Sequence, residues 1–218
     1  MIDIILLCSG ITKGMKSYGP KAIVPVGKNK NPLIVEQIQN IRSLKLKCSI
    51  NIVVGFESKK IISILNDHKI KNINFIFHDD YENDNAGGAI LKAMENIKNN
   101  CIIIDDGIIV NEIKNKNVSY LPVFSKEAKN FNIGLTENNS VVEYLFYDLP
   151  KVWSELCYIG RNDLAHVRYA FSNNEKKIKT MFLFEIINLL IDNNIRFEID
   201  NVSNKNIKKL INHKVKIK

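Results

Sequence analysis

The stretch Ile2-Asp3-Ile4-Ile5-Leu6-Leu7-Cys8-Ser9-Gly10 carries an apolar run that breaks into small polar residues. Such a run, bounded by a turn, reads as a strand buried on both faces, the kind found inside parallel sheets. A buried strand that feeds a small-residue loop puts backbone N–H groups where a phosphate can sit. Beyond the polar loop Cys8 to Pro20, Lys21 supplies a positive charge beside it, followed by Ala22-Ile23-Val24-Pro25-Val26 and Pro32-Leu33-Ile34.

Outward from this stretch, apolar runs alternate with longer segments of helical period, the pattern of βαβ units in a mainly parallel sheet. Strands are expected at Ile2 to Leu7, Ile50 to Val54, Ile73 to Phe77 and Cys101 to Ile104. Helices with apolar residues three or four apart are expected at Leu33 to Leu44, Ser58 to Asn66 and Gly88 to Ile97. After Asp106 the pattern shortens to strand-like pieces, Val118 to Phe124, Ile133 to Thr136, Val141 to Phe146 and Val152 to Ile159, an inserted antiparallel portion. Helices near Asp163 to Phe171 and Lys179 to Ile191, a strand Arg196 to Ile199 and a last helix capped by Ser203 complete the reading.

The 218 residues, 45% of them hydrophobic, are enough to bury roughly 70–75% of the unfolded surface in one core, so a single domain over 1–218 is expected. No stretch approaches the roughly 20 apolar residues of a membrane span, and Met1-Ile2-Asp3 lacks a basic leader, so a cytoplasmic protein is expected, with no membrane partner. Cys8, Cys48, Cys101 and Cys157 lie far apart with no CxxC pair, which fits reduced thiols and not a zinc site. The net charge of +8 comes from lysines scattered among Ile and Asn, a solvated surface more than a nucleic-acid stripe. His68, His78, His166 and His213 form no pattern with a Ser or Cys nucleophile.

This order of parts resembles the N-terminus of the sugar-phosphate nucleotidyltransferases: strand, Gly-rich loop with Thr-Arg, spacer, Pro-Lys, apolar run and Pro-Leu. The matching residues are Ser9-Gly10, Thr12-Lys13, Gly14-Met15, Pro20-Lys21, Pro25-Val26 and Pro32-Leu33-Ile34. The family usually has a second Gly and an Arg in this loop. Here either Lys13 replaces that arginine or nothing does, and lysine lacks the planar fork that grips two phosphate oxygens. Cys101-Ile102-Ile103-Ile104-Asp105-Asp106-Gly107 resembles the family's apolar strand ending in Asp, and Arg196-Phe197-Glu198-Ile199-Asp200-Asn201 resembles its closing element. Asn83-Asp84-Asn85-Ala86-Gly87-Gly88-Ala89-Ile90 looks like its Gly-Thr-Ala-Gly-Ala loop, which contacts nucleobase and sugar.

The resemblance implies a three-layer α/β nucleotide-binding fold of the GT-A/nucleotidyltransferase type, with a mainly parallel mixed sheet and a small antiparallel insertion. It implies Mg²⁺ on Asp106 and Asp200, and catalytic charge from Lys21 and Lys13. Nucleotide contacts would come from Leu7, Cys8, Ser9, Gly10, Thr12, Gly14, Asn85, Gly87, Gly88 and Asp105, and acceptor contacts from Trp153, Tyr158 and Glu198. The partners are then a nucleoside triphosphate and a phosphorylated sugar or small alcohol, with pyrophosphate released. The compact length and the Glu-Ile-Asp ending lean toward CTP and the cytidylyltransferase type.

Each of these residues also has a plainer reading. A strand-end Asp commonly forms a turn, a double Gly before a helix is commonly just a turn, and a lone Trp or Tyr commonly packs in a core. Asp200 could serve only the positive end of a following helix. Lys151, Arg161 and Arg168 could meet an acceptor phosphate, with solvation the default for each. Two other classes stay open: a binding or regulatory module of the same fold, suggested by the altered loop, and a nucleotide-sugar glycosyltransferase, which would carry an Asp-x-Asp absent from Asp105-Asp106-Gly107. A dehydrogenase is disfavoured because Ser9 to Gly14 lacks the middle glycine of GxGxxG.

Overall fold

The opening run forms β1 (Ile2–Cys8), and all seven of its residues are buried because neighbours flank it on both edges and helices cover both its faces. The computed structural model describes residues 1–11, 16–17, 19–105, 107–125 and 131–209. The chain continues through a 3₁₀ turn at Lys21–Ile23, the short pair β2 (Pro25–Val26) and β3 (Asn31–Pro32), then α1 (Leu33–Ser43), β4 (Cys48–Val54), α2 (Ser58–Asp67), β5 (Asn74–Phe77), α3 (Ala86–Met94) and β6 (Asn100–Asp105). After β7 (Ile108–Val110) come β8 (Tyr120–Phe124), β9 (Ile133–Asn138), β10 (Val141–Tyr147), β11 (Lys151–Val152) and β12 (Leu156–Ile159). The remainder is α4 (Leu164–Lys179), α5 (Leu183–Asp192), β13 (Glu198–Val202) and β14 (Ile207–Lys209).

Ten strands make one sheet in the order β11-β9-β10-β13-β8-β12-β6-β1-β4-β5. Strands β13, β8, β6, β1, β4 and β5 share one direction, so their carboxyl ends meet along one edge of the molecule. The antiparallel insertion is not a separate lobe: β12 lies between β6 and β8, and β9, β10 and β11 extend the far end of the same sheet.

The alternation of side chains along each strand divides the core into two layers. Ile5, Leu7, Cys101 and Ile103 face α3, α4 and α5, while Ile4, Leu6, Ile102 and Ile104 face α1 and α2. Helix α5 shows why the pattern folds this way: Leu183, Ile186, Ile187 and Leu190 recur at helical spacing and are all buried. Asp3 is buried at the opposite, amino end of β1, where its carboxylate accepts hydrogen bonds from the N–H groups of Lys98 and Asn99 at 3.3 and 3.2 Å.

Three expected elements are corrected. No helix begins at Ser203; its hydroxyl bonds Asn206 Oδ1 at 2.6 Å in a turn, and β14 then pairs antiparallel with β7. The apolar run Val152 to Ile159 is also two strands, parted at Trp153–Glu155 where Glu155 adopts a left-handed φ of 58°. Helix α4 runs on to Lys179, past the expected end at Phe171.

Candidate active site

Two cavities open at the carboxyl edge of the sheet, where ligands bind in folds of this construction. The first, about 390 Å³, is bounded by the loop after β1 (Leu7, Ser9, Gly10, Ile11), by the segment His78 to Ala89 and by Asp105 and Phe182. The second, about 290 Å³, is bounded by Tyr147, Trp153, Glu155, Phe184 and Lys209, among others, and again by Asp105, Ala86 and Phe182. Asp105 closes β6 and is half-buried in the partition between them.

The loop after β1 is held by backbone. The Ser9 carbonyl accepts the Phe56 N–H at 3.0 Å, and a Cβ on Gly55 would stand 2.8 Å from that carbonyl, so only glycine lets the two chains approach. Lys21 lies in the 3₁₀ turn with 6% of its surface exposed. Its ammonium stands 3.2 Å from where a Cβ on Gly107 would be, so Gly107, with a φ of +91°, leaves room for the lysine beside the end of β6. Gln37 of α1 fixes the same bend by donating to the Ile108 carbonyl at 3.0 Å.

The double glycine serves packing. A Cβ on Gly87 would lie 1.7 Å from the Ile178 carbonyl of α4, and one on Gly88 would lie 2.2 Å from Asp84 Oδ2 and 2.6 Å from His78 Nε2. The space the glycines leave is therefore filled by protein, and the segment contributes to the first cavity through His78, Asp84 and Asn85 instead. His78 Nε2 and Asp84 Oδ2 are 3.0 Å apart, and the Nδ1 atom of His78 is buried without a hydrogen-bond partner. Asn85 is tied to the α4–α5 junction, its N–H donating to the Lys179 carbonyl at 2.8 Å.

Of the expected nucleotide contacts, Leu7, Ser9, Gly10, Asn85 and Asp105 meet at the first cavity. Cys8 is buried in the α1-side layer. Thr12, Lys13, Gly14 and Asp106 lie outside the described residues. Of the expected acceptor residues, Trp153 borders the second cavity, its indole N–H donating to the Leu156 carbonyl at 2.9 Å. Tyr158 is instead fully buried in the α1-side layer, stacked on Tyr120 at 4.4 Å. Burial holds its phenol up at about 12. Glu198 stands 3.6 Å from the Lys116 ammonium on that same face.

Asp200 is on β13, and β8 and β12 separate it from β6, roughly 14 Å between backbones at the usual strand spacing. Its carboxylate accepts from the Lys114 ammonium at 2.6 Å, and that hydrogen bond holds Lys114 above its usual range. Among the described residues, no cluster of three His, Cys, Asp or Glu gathers as a metal cage. Mg²⁺ does not need one: it commonly takes one or two carboxylates and completes its shell with substrate phosphates and water. The half-buried carboxylate ending β6, with Asp106 next in sequence, fits that donor set.

His78, Tyr81, Asp84 and Phe182 were missed by sequence reasoning. His78 directly follows β5, so the rule that parallel strands aim their carboxyl ends at the ligand could have found it. Phe182 has no such signal, since it precedes a helix far along the chain.

An α/β sheet of this order, with a carboxylate at the end of β6, is the nucleotidyltransferase fold. The CTP:phosphocholine cytidylyltransferase LicC from Streptococcus pneumoniae shares it with a TM-score of 0.78 at 15% identity, over 96% of this chain and 93% of that one. A nucleoside-diphosphate-sugar pyrophosphorylase from Vibrio cholerae RC9 gives 0.68 at 11% identity over 96% and 95%, and the inositol-1-phosphate CTP transferase of T. maritima 0.69 at 10% over 93% and 86%. No protein-family model and no curated protein sequence matches the chain. No helix among the described residues is long and apolar enough to cross a membrane.

Proposed function

We propose that residues 1–218 form a single nucleotidyltransferase domain, which moves a nucleotidyl group from a nucleoside triphosphate, with CTP favoured, to a phosphorylated sugar or small alcohol and releases pyrophosphate. The observation that carries this reading is the partition: two cavities, one polar and one aromatic, share Asp105, and the Lys21 ammonium stands beside the same strand end. That is what two phosphates brought together would need.

The attacking acceptor phosphate is already an anion, so no protein nucleophile is required; positioning and charge neutralisation remain. The thiols of Cys101 and Cys157 are pushed far up by burial and suit no nucleophilic role. Backbone groups of Ser9 and Gly10 would hold phosphate oxygens of the triphosphate, and Lys21 would neutralise the α-phosphate. Mg²⁺, when bound, would offset charge on the phosphates and the leaving pyrophosphate. Asp106 would hold it, with Asp200 joining only by exchanging Lys114 for the metal.

The test is pyrophosphate release with Mg²⁺ for each of five nucleoside triphosphates against phosphocholine and a set of sugar phosphates, with Asp106→Ala as the blank. Release for one pair, lost in the blank, establishes the transferase. Triphosphate binding without release by folded protein would replace it with a nucleotide-binding module.

A further inference from the structure

Lys209 and Glu155 form an ion pair that the sequence reading did not single out. Strand β14 lies against β7, with Lys209 paired to Ile108, so the lysine arrives beside the end of β6. Its ammonium is 2.5 Å from Glu155 Oε2 and 5.5 Å from the centre of the Phe131 ring. The two side chains are 12% and 15% exposed, and both border the aromatic cavity that holds Asp105 and Trp153. Among the described residues bordering that cavity, Lys209 is the one cation.

A nearly buried ion pair is a poor device for stability, because desolvation offsets most of the attraction. Glu155 is moreover held in the left-handed region at φ 58°, a conformation that costs a non-glycine residue energy and concentrates at ligand sites. Both costs fall at the mouth of the same cavity. We propose that Lys209 receives the phosphate of the acceptor, and that Glu155 holds its ammonium in place until that anion takes it. This rests on the proposed transferase function, with the second cavity, which Trp153 borders, taken as the acceptor side. Lys21 then serves the nucleotide and Lys209 the acceptor, both near the end of the strand that carries Asp105.

Trp153 is the chain's only tryptophan and borders this cavity, so its fluorescence reports occupancy whether or not turnover occurs. Phosphocholine and glucose 1-phosphate are titrated beside choline and glucose, giving a preference for the phosphorylated form. In Lys209→Met that preference should fall at least tenfold, Lys209→Arg should restore most of it, and Glu155→Gln, which frees the ammonium, should keep or raise it. No change in emission with any phosphorylated probe overturns the proposal, as does an equal loss in Glu155→Gln and Lys209→Met, which would make the pair structural. Circular dichroism melts of each variant establish that it is folded. A Lys209-dependent preference without pyrophosphate release would leave this assignment standing and remove the transferase activity; release without such a preference would do the reverse.

Discussion

The two cavities are built in opposite ways. The first draws mostly on two short segments, Leu7 to Ile11 and His78 to Ala89, and is lined largely by polar residues such as Ser9, His78, Glu82, Asp84 and Asn85. The second gathers residues scattered from Asp105 through Tyr147, Trp153 and Phe184 to Lys209, four of them aromatic with Phe182. Backbone N–H groups at strand ends suit phosphate, which every triphosphate carries, whereas side chains far apart in sequence can be exchanged one at a time to suit one acceptor. The division predicts that variants separate into those that disturb one substrate and those that disturb the other.

The largest effect should come from the strand end the cavities share. Lys21→Ala removes a unit charge worth roughly 4 kcal/mol at about 4 Å and an effective dielectric near 20. Turnover should fall roughly a hundred- to a thousand-fold with the circular dichroism spectrum unchanged. A loss under about threefold would detach Lys21 from the reaction.

Gly87→Ala comes next, since its Cβ would meet the Ile178 carbonyl and force α3 from α4. A cost of about 2–3 kcal/mol is expected, seen as a lower denaturant midpoint at unchanged slope. An unaltered midpoint would show that the helices can part freely and that the first cavity is not rigidly framed.

Tyr81→Ala and Tyr147→Ala form the sharper pair. Each removes one aromatic from one cavity, worth about 1 kcal/mol or somewhat more, so Tyr81→Ala should raise the triphosphate KM roughly five- to tenfold and Tyr147→Ala the acceptor KM. Either variant moving both constants equally would dissolve the division. The last effect, confined to alkaline solution, is on stability at high pH. The Tyr158 phenol, lifted by burial to about 12, is protonated more firmly folded than unfolded, so its contribution is complete below about pH 10 and lost between 10 and 12. Urea midpoints measured across that window should fall while neither KM changes below pH 10.

Much of this was legible in residues that lie close in sequence. Strands β1, β4, β5 and β6 fall within two residues of their expected bounds; β5 is a half-exposed edge strand, whereas in β1, β4 and β6 the match follows from burial on both faces, which demands a mostly apolar run. Asp105 was visible for the same reason, as the first polar residue after such a run. Trp153 to Glu155 hid its break because the flanking residues are apolar whether the chain runs straight or turns. Ser203 misled because a cap-like hydroxyl serves a tight turn as readily as a helix. Phe182 and Lys209 could not be read at all: their place depends on where α5 and β14 dock, which no local pattern encodes.

The sheet order also sets a timetable for synthesis. Strand β13 stands between β10 and β8, yet it is made after α4 and α5. On the ribosome the edge of β10 at Val141 must therefore wait unpaired until β13 emerges and Glu198 pairs with it. The β10 side of the large sheet is thus completed last, by a strand made after both carboxyl-terminal helices.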